Sequence, residues 1–463
     1  MSGTEPIRVK AASGHDCFTS VSRRGMLPVL AVCLVLGASV LSGEAVAQAP
    51  LAGRPVGALV SAPALSDDAV NEDRYDLGDQ AFAPPPSLGY DGRSEVAATV
   101  YRPARVGTGR LPLIVMQHGL WETCADADAA ADRERATEAR DRAEQAGDEA
   151  EAERQSALIE RAAAKLWAWP CTKSTEQIPS NTGYDYLGRR LAAQGFVVVS
   201  VGANGINATS GGQAPTVYHA RALLIEHHLR LWKQWATRGD GPLAHALVDA
   251  ETGRPDPVDF RGRLDLDRVG LLGHSMGGGG VMQEVSDTNR RNWPNGVRIR
   301  AAFTLAPTAT WDGDPVTQVP FAVMWGTCDM VNTGSYFEQN HATTRAPAFK
   351  YTLTGANHDF YNRQWSPSSG QVASRDDAVT GTAPETCRSQ YEGNDPPHED
   401  QPRMPETRQR LITANRVSAF FQRFLHGRTE CDAYLTGARS FPSETGPQRV
   451  FVDYVPGADA AAQ

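Results

Sequence analysis

The chain has 463 residues, 41% hydrophobic and 21% charged, which is ordinary usage for globular protein. That length suggests about three domains as a prior and allows a large buried core, and the composition excludes a wholly disordered, a collagen-like or a polytopic membrane chain. Lys and Arg total 45 against 54 Asp and Glu, and the net charge of −9 argues against non-specific binding to nucleic acid or anionic lipid.

Residues 1–47 read as an export signal. Arg8, Lys10, Arg23 and Arg24 precede an apolar run from Met26 to Val40, and Ala45-Val46-Ala47 forms a small-x-small cleavage site before Gln48. The run is too short to span a bilayer, which takes roughly 20 residues. The reading is therefore a bacterial product, secreted or periplasmic, with no membrane span after the signal is removed. Ser22-Arg23-Arg24-Gly25-Met26-Leu27 fits a twin-arginine signal as well as an ordinary secretory one. Residues 48–72, rich in Ala, Pro and Gly, read as a flexible lead-in.

From Tyr75 onward apolar runs alternate with helical patterns. Val96–Tyr101 predicts a strand, and the continuous apolar runs Leu113–Gln117 and Phe196–Val201 predict strands buried on both faces. Apolar residues three and four apart predict a helix over Tyr218–Trp235. Val269–Leu272 predicts a strand and Ser275–Val285 a helix. Ala301–Leu305, Phe321–Trp325 and Phe349–Leu353 complete the strands, and Arg408–Leu425 is a last amphipathic helix. The alternation points to an α/β fold, with a mostly parallel central sheet and helices on both faces.

Residues 125–165 break the pattern. They are rich in Ala, Glu, Asp and Arg and predict a charged helical insertion, spanning 125–170 with its flanks and turning near Gly147. It reads either as a solvated hairpin without chemistry or as a lid or partner-binding arm. Five cysteines remain after the signal. Cys124 and Cys171 bracket the insertion and are the first expected disulfide, Cys328 and Cys387 the second, leaving Cys431 free.

The chemistry centres on Gly273-His274-Ser275-Met276-Gly277, which follows an apolar strand and opens a helix. A sharp strand-to-helix turn needs small flanking residues, which Gly273 and Gly277 supply. It would expose the Ser275 hydroxyl at a helix N-terminus, where N–H groups favour developing negative charge. Serine is a weak nucleophile and needs a base and an orienting acid. Asp329 follows the strand at Phe321–Trp325 and is the expected acid. His358 follows the strand at Phe349–Leu353 and is the expected base. Asp312, Asp314 and Asp359 are competing acids. The expected oxyanion donors are the N–H of Met276 and, after the strand at Leu113–Gln117, the N–H of Leu120. Trp121 is read either as a wall of the substrate pocket or as a packing aromatic.

Gly273-His274-Ser275-Met276-Gly277-Gly278-Gly279-Gly280 and Ala301-Ala302-Phe303-Thr304-Leu305-Ala306-Pro307 resemble the nucleophile region of bacterial cutinases and polyester (PET) hydrolases, within the α/β-hydrolase superfamily. His118-Gly119, Trp169-Pro170-Cys171, Gly183-Tyr184-Asp185-Tyr186, Ala203-Asn204-Gly205-Ile206-Asn207 and Gly355-Ala356-Asn357-His358 are similar to a group of secreted actinobacterial-type hydrolases. The resemblance implies an α/β-hydrolase catalytic domain over 73–430, followed by a C-terminal extension at 431–463. It implies a secreted serine esterase of the carboxylesterase, lipase or cutinase kind, with Ser275, Asp329 and His358 as triad, no cofactor and no metal. Its substrate would be a small-molecule or polymeric ester. An amidase or other acyl hydrolase using the same residues, and a catalytically silent binding protein of this fold, stay open at this point, as does the oligomeric state.

Overall fold

The computed structural model describes residues 70–210, 216–309, 313–332, 335–378, 385–388, 400–446 and 449–458. The expected signal at 1–47, the lead-in up to residue 69, and Asp312 lie outside the described residues.

Runs of β-branched and apolar residues form the middle of the fold. The strands are β1 (Val70–Asp76), β2 (Ala97–Pro103), β3 (Leu111–Gln117), β4 (Val197–Val201), β5 (Val248–Asp249), β6 (Leu264–His274), β7 (Ile299–Leu305), β8 (Phe321–Gly326), β9 (Ala348–Leu353), β10 (Thr386–Cys387), β11 (Gln401–Pro402) and β12 (Val450–Val455). Ten of these form one sheet in the order β12-β9-β8-β7-β6-β3-β4-β2-β1-β5. The six strands from β4 through β3, β6, β7 and β8 to β9 run parallel. β2, β1 and β5 at one end and β12 at the other pair antiparallel.

Alternation along each strand divides the core in two. Leu113, Val115, Val197 and Val199 face one side, where they meet Ile225, Leu229 and Trp232 of α5 (Thr216–Arg238) and Val281 and Met282 of α6 (Met276–Glu284). Ile114, Met116 and Val198 face the other side, against Leu187 and Leu191 of α3 (Asp185–Ala192) and Ile412, Val417 and Phe420 of α8 (Glu406–His426). This is an α/β protein with helices on both faces of a mixed sheet. The remaining helices are α1 (Ala127–Ala146), α2 (Glu149–Leu166), α4 (Asn204–Ser210), α7 (Tyr336–Asn340) and α9 (Asp432–Leu435). Among the described residues no helix is long and apolar enough to cross a membrane.

The insertion forms the two-helix hairpin α1–α2. Asp126 and Asp148 cap its helices by accepting from Ala129 N–H and Glu151 N–H, and Gly147 turns the chain between them at φ 71°. The sheet extends further at both ends than the apolar runs suggest. β1 begins at Val70, inside the stretch read as a lead-in, and β12 lies within the stretch read as a C-terminal extension.

Candidate active site

Chain direction sets the location. The segment after β3 leads to β4 on one side, and the segment after β6 leads to β7 on the other. The crevice where adjacent strands diverge in this way is where α/β sheets hold ligands. Gln117 pairs with Gly273 across β3 and β6, so residues 118–120 leave the sheet beside 274–276. Likewise Gly326 pairs with Leu353 across β8 and β9, so the Asp329 loop leaves beside the His358 loop.

Ser275 occupies the turn between β6 and α6 at φ 56° and ψ −125°, a left-handed backbone uncommon for a residue with a side chain. Its flanking glycines allow the close packing: a Cβ on Gly273 would stand 2.3 Å from Gly277 O, and one on Gly277 2.3 Å from Gln117 O and 2.5 Å from His118 O. The turn is also anchored, with Ser275 N–H donating to Leu305 O at 2.9 Å and Ser275 O accepting from Thr308 N–H at 3.1 Å. The backbone of Gly119 passes directly over it, since a Cβ at Gly119 would lie 2.5 Å from Ser275 Cβ and 3.1 Å from Ser275 Oγ. Met276 N–H and Leu120 N–H, the two expected oxyanion donors, donate to no acceptor among the described residues.

A buried network turns the carbonyls of this loop away from the crevice. His118 Nδ1–H donates to Gly119 O at 2.9 Å, while His118 Nε2 accepts from Ala203 N–H at 2.9 Å. Asn207 Nδ2 donates to Gly119 O at 3.0 Å and to Trp121 O at 3.3 Å. Arg221, on α5, donates to His118 O at 3.0 Å and to Asn207 Oδ1. Burial, then the Arg221 charge, pull the His118 pKa down to about 3, so that ring is neutral and holds the single tautomer these bonds require. Sequence reasoning missed Arg221. An arginine in an amphipathic helix reads as solvent-facing, yet this one is fully buried.

The structure brings Asp329 and His358 together. His358 Nδ1–H donates to Asp329 Oδ2 at 2.9 Å, and Asp329 Oδ1 accepts from Val331 N–H and Asn332 N–H at 2.8 Å each. Both side chains are buried. Burial alone would lower the His358 pKa. The Asp329 carboxylate, its hydrogen bond, and then Asp377 and Asp359 overcome that and push it up to about 9. Among the described residues Ser275 Oγ makes no hydrogen bond, so the hydroxyl is not bonded to His358.

The competing acids lie differently. Asp314 accepts from Gln283 Nε2 and Thr288 Oγ1. Asp359 is buried with no hydrogen-bond partner on either carboxylate oxygen, and Arg375 Nε stands 3.5 Å from it. Burial and the neighbouring Asp377 push its carboxyl well above the usual range. Asp377, which sequence reasoning also missed, accepts from Met330 N–H at 3.1 Å, His358 N–H at 3.0 Å and Asp359 N–H at 2.9 Å.

Trp121 is 2% exposed. Its ring stacks on Trp365 at 4.6 Å, and the Arg375 guanidinium covers it at 4.2 Å. Trp365 packs in turn on His274, and His274 on His358. The structure thus places Trp121 in a packed stack behind the base. Cys124 and Cys171 stand at disulfide distance with Cα atoms 5.6 Å apart, as do Cys328 and Cys387 at 5.9 Å, and Cys431 is free. The first pair closes the base of the α1–α2 hairpin, and Arg133 of α1 pairs with Glu122 at 2.8 Å. The second holds the residue before Asp329. Among the described residues no group of three or more His, Cys, Asp or Glu is arranged to hold a metal ion.

The arrangement belongs to an α/β protein carrying a serine hydroxyl at a helix N-terminus and an imidazole–carboxylate pair. No protein-family model matches the chain. Over 160 residues the chain is 35% identical to a bis(hydroxyethyl) terephthalate hydrolase of Streptomyces coelicolor, a match covering 33% of this chain and 38% of that relative. The chain therefore spans well under half of that relative's length.

Proposed function

We propose that this chain is a secreted serine hydrolase of carboxylic esters with the α/β-hydrolase fold. Its catalytic domain covers 73–430 with the hairpin insertion, β1 and β12 extend the same sheet beyond those bounds, and residues 1–47 are an export signal. The reading is carried by one observation: His358 is bonded to Asp329, and the Ser275 turn, over which the Gly119 backbone passes, opens α6 at the same ends of the parallel strands. The likeness to a hydrolase of bis(hydroxyethyl) terephthalate supports ester hydrolysis in general.

Ser275 Oγ attacks the acyl carbonyl, and neutral His358 takes its proton through Nε2. Asp329, bonded to Nδ1, holds that tautomer and stabilises the imidazolium. The N–H groups of Met276 and Leu120 receive the oxyanion, and the pinned carbonyls of residues 118, 119 and 121 keep the second donor aimed. The imidazolium returns its proton to the leaving alcohol. Water, activated by His358, then releases the acyl group from Ser275.

The test is turnover of p-nitrophenyl acetate, p-nitrophenyl butyrate and bis(hydroxyethyl) terephthalate, with Ser275→Ala as control. The reading requires hydrolysis of at least one ester by the wild type and its loss in the variant. Equal rates in both proteins would remove it.

A further inference from the structure

The two loops that carry the acid and the base are separate excursions from β8 and β9, and the His358–Asp329 bond works only if they keep register. Backbone bonds hold their lower parts, with Thr327 N–H donating to Leu353 O at 3.0 Å and Cys328 N–H to Ala356 O at 2.9 Å. Above that level the connection passes through a third segment, residues 375–378. Asp377 Oδ2 accepts from Met330 N–H, adjacent to the acid, and from His358 N–H, the base's own amide. Its Oδ1 accepts from Asp359 N–H. Asp376 Oδ1 beside it accepts from Asn357 Nδ2 at 2.7 Å, and Asp376 pairs with Arg403. One carboxylate therefore grips three amides drawn from both loops.

We propose that Asp377 is a positioning residue for the reaction at Ser275: it clasps the acid loop to the base loop and so sets the orientation and basicity of His358. The inference rests on the serine hydrolase reading. Two-oxygen acceptance by an anion is the strong, directional form of the hydrogen bond. A neutral amide at this position keeps one acceptor oxygen and turns an NH₂ group toward an amide that had been bonded. Asp329 faces His358 from the β8 loop, Asp359 from its own turn, Asp377 from the clasp, and His274 from β6, while Arg375 offsets Asp359. Of the carboxylates, Asp377 combines a backbone bond to His358 with contact to the acid's loop.

The test is ¹⁵N-histidine NMR of the full chain, with the His358 signals assigned by their loss in His358→Gln. Wild type, Asp377→Asn and Asp377→Glu are titrated, and kcat and KM are measured alongside. In Asp377→Asn the His358 midpoint falls by about one pH unit, the scale expected for losing a nearby opposite charge. Its downfield Nδ1 proton broadens or disappears, and kcat drops while KM holds. Asp377→Glu, which restores the charge, brings the midpoint back toward the wild type. A His358 midpoint and Nδ1 proton unchanged in folded Asp377→Asn would overturn the inference. If Asp377→Asn does not fold, Asp377→Ser, which also removes the carboxylate, takes its place, and a His358 midpoint and Nδ1 proton identical to wild type in that variant overturn the inference. The NMR readout needs no turnover, so an inactive wild type would defeat the hydrolase reading without being mistaken for failure of the clasp.

Discussion

Replacing Arg221 with methionine tests how the oxyanion donors are held. The side chain is fully buried and donates to His118 O and Asn207 Oδ1. Methionine fills much of the same volume but leaves both acceptors without a donor. A buried acceptor stripped of its partner costs about 1–3 kcal/mol, so the pair costs about 2–6 kcal/mol. That is a large part of the 5–15 kcal/mol typical of a folded domain, and the variant should be folded but easily unfolded. The functional loss has a separate origin. Asn207 loses the anchor that directs its Nδ2 to Gly119 O and Trp121 O, so the 118–121 loop can rotate and withdraw Leu120 N–H. Loss of one oxyanion donor costs about 10²–10³-fold in kcat. Urea unfolding followed by tryptophan fluorescence reads the first effect, and steady-state ester hydrolysis reads the second. The account predicts that kcat falls by about 10²-fold with KM little changed. A variant that loses stability by the predicted amount yet keeps kcat within about twofold would refute the positioning argument, since the network would then serve only the core.

Four further outcomes follow from the same geometry. Asp329→Asn presents an amide to His358 Nδ1 and favours the wrong tautomer, so kcat should fall by about 10⁴-fold with the fold intact; a loss under tenfold would remove Asp329 from its role. Because the His358 pKa is pushed up to about 9, kcat/KM should fall as pH drops through that value, the base being charged below it. Stability runs the other way: the folded pKa lies above the unfolded value of about 6.5, so the stabilisation of about 3 kcal/mol is complete below pH ~6.5 and is lost as pH rises through about 9. Melting temperatures of the wild type and His358→Gln across that window check the sign. Cys328 and Cys387 close a loop of 59 residues, and a paired Ser substitution should cost about 4 kcal/mol on the chain-entropy model, with a loss of activity because Cys328 adjoins Asp329. An unchanged denaturation midpoint would contradict this.

Much of this site could be read from residue order alone. Ser275, Asp329 and His358 each follow an apolar run, and such runs become parallel strands whose C-terminal ends meet at one edge. The hairpin turn at Gly147 was equally legible, since a glycine punctuates a charged helical composition. The sheet's ends were less so. β1, with the sequence VNEDRYD, carries Asp73, which forms a buried pair with Arg102 of β2, and charge of that kind does not read as strand. β12 sits at an edge with Phe451 and Tyr454 exposed, beyond the last helical pattern. The positioning residues left the least trace. Arg221 and Asp377 owe their importance to partners 14 or more residues away, and nothing in a local window separates them from solvated charges. Trp121 shows the same limit from the apolar side: only packing decides between a pocket wall and a stacked ring.

The most direct test of the central claim is labelling with a fluorophosphonate probe followed by peptide mapping. The account predicts a single adduct on Ser275, abolished in Ser275→Ala and greatly slowed in His358→Gln. An adduct on another residue, or none on a folded wild type, would contradict it.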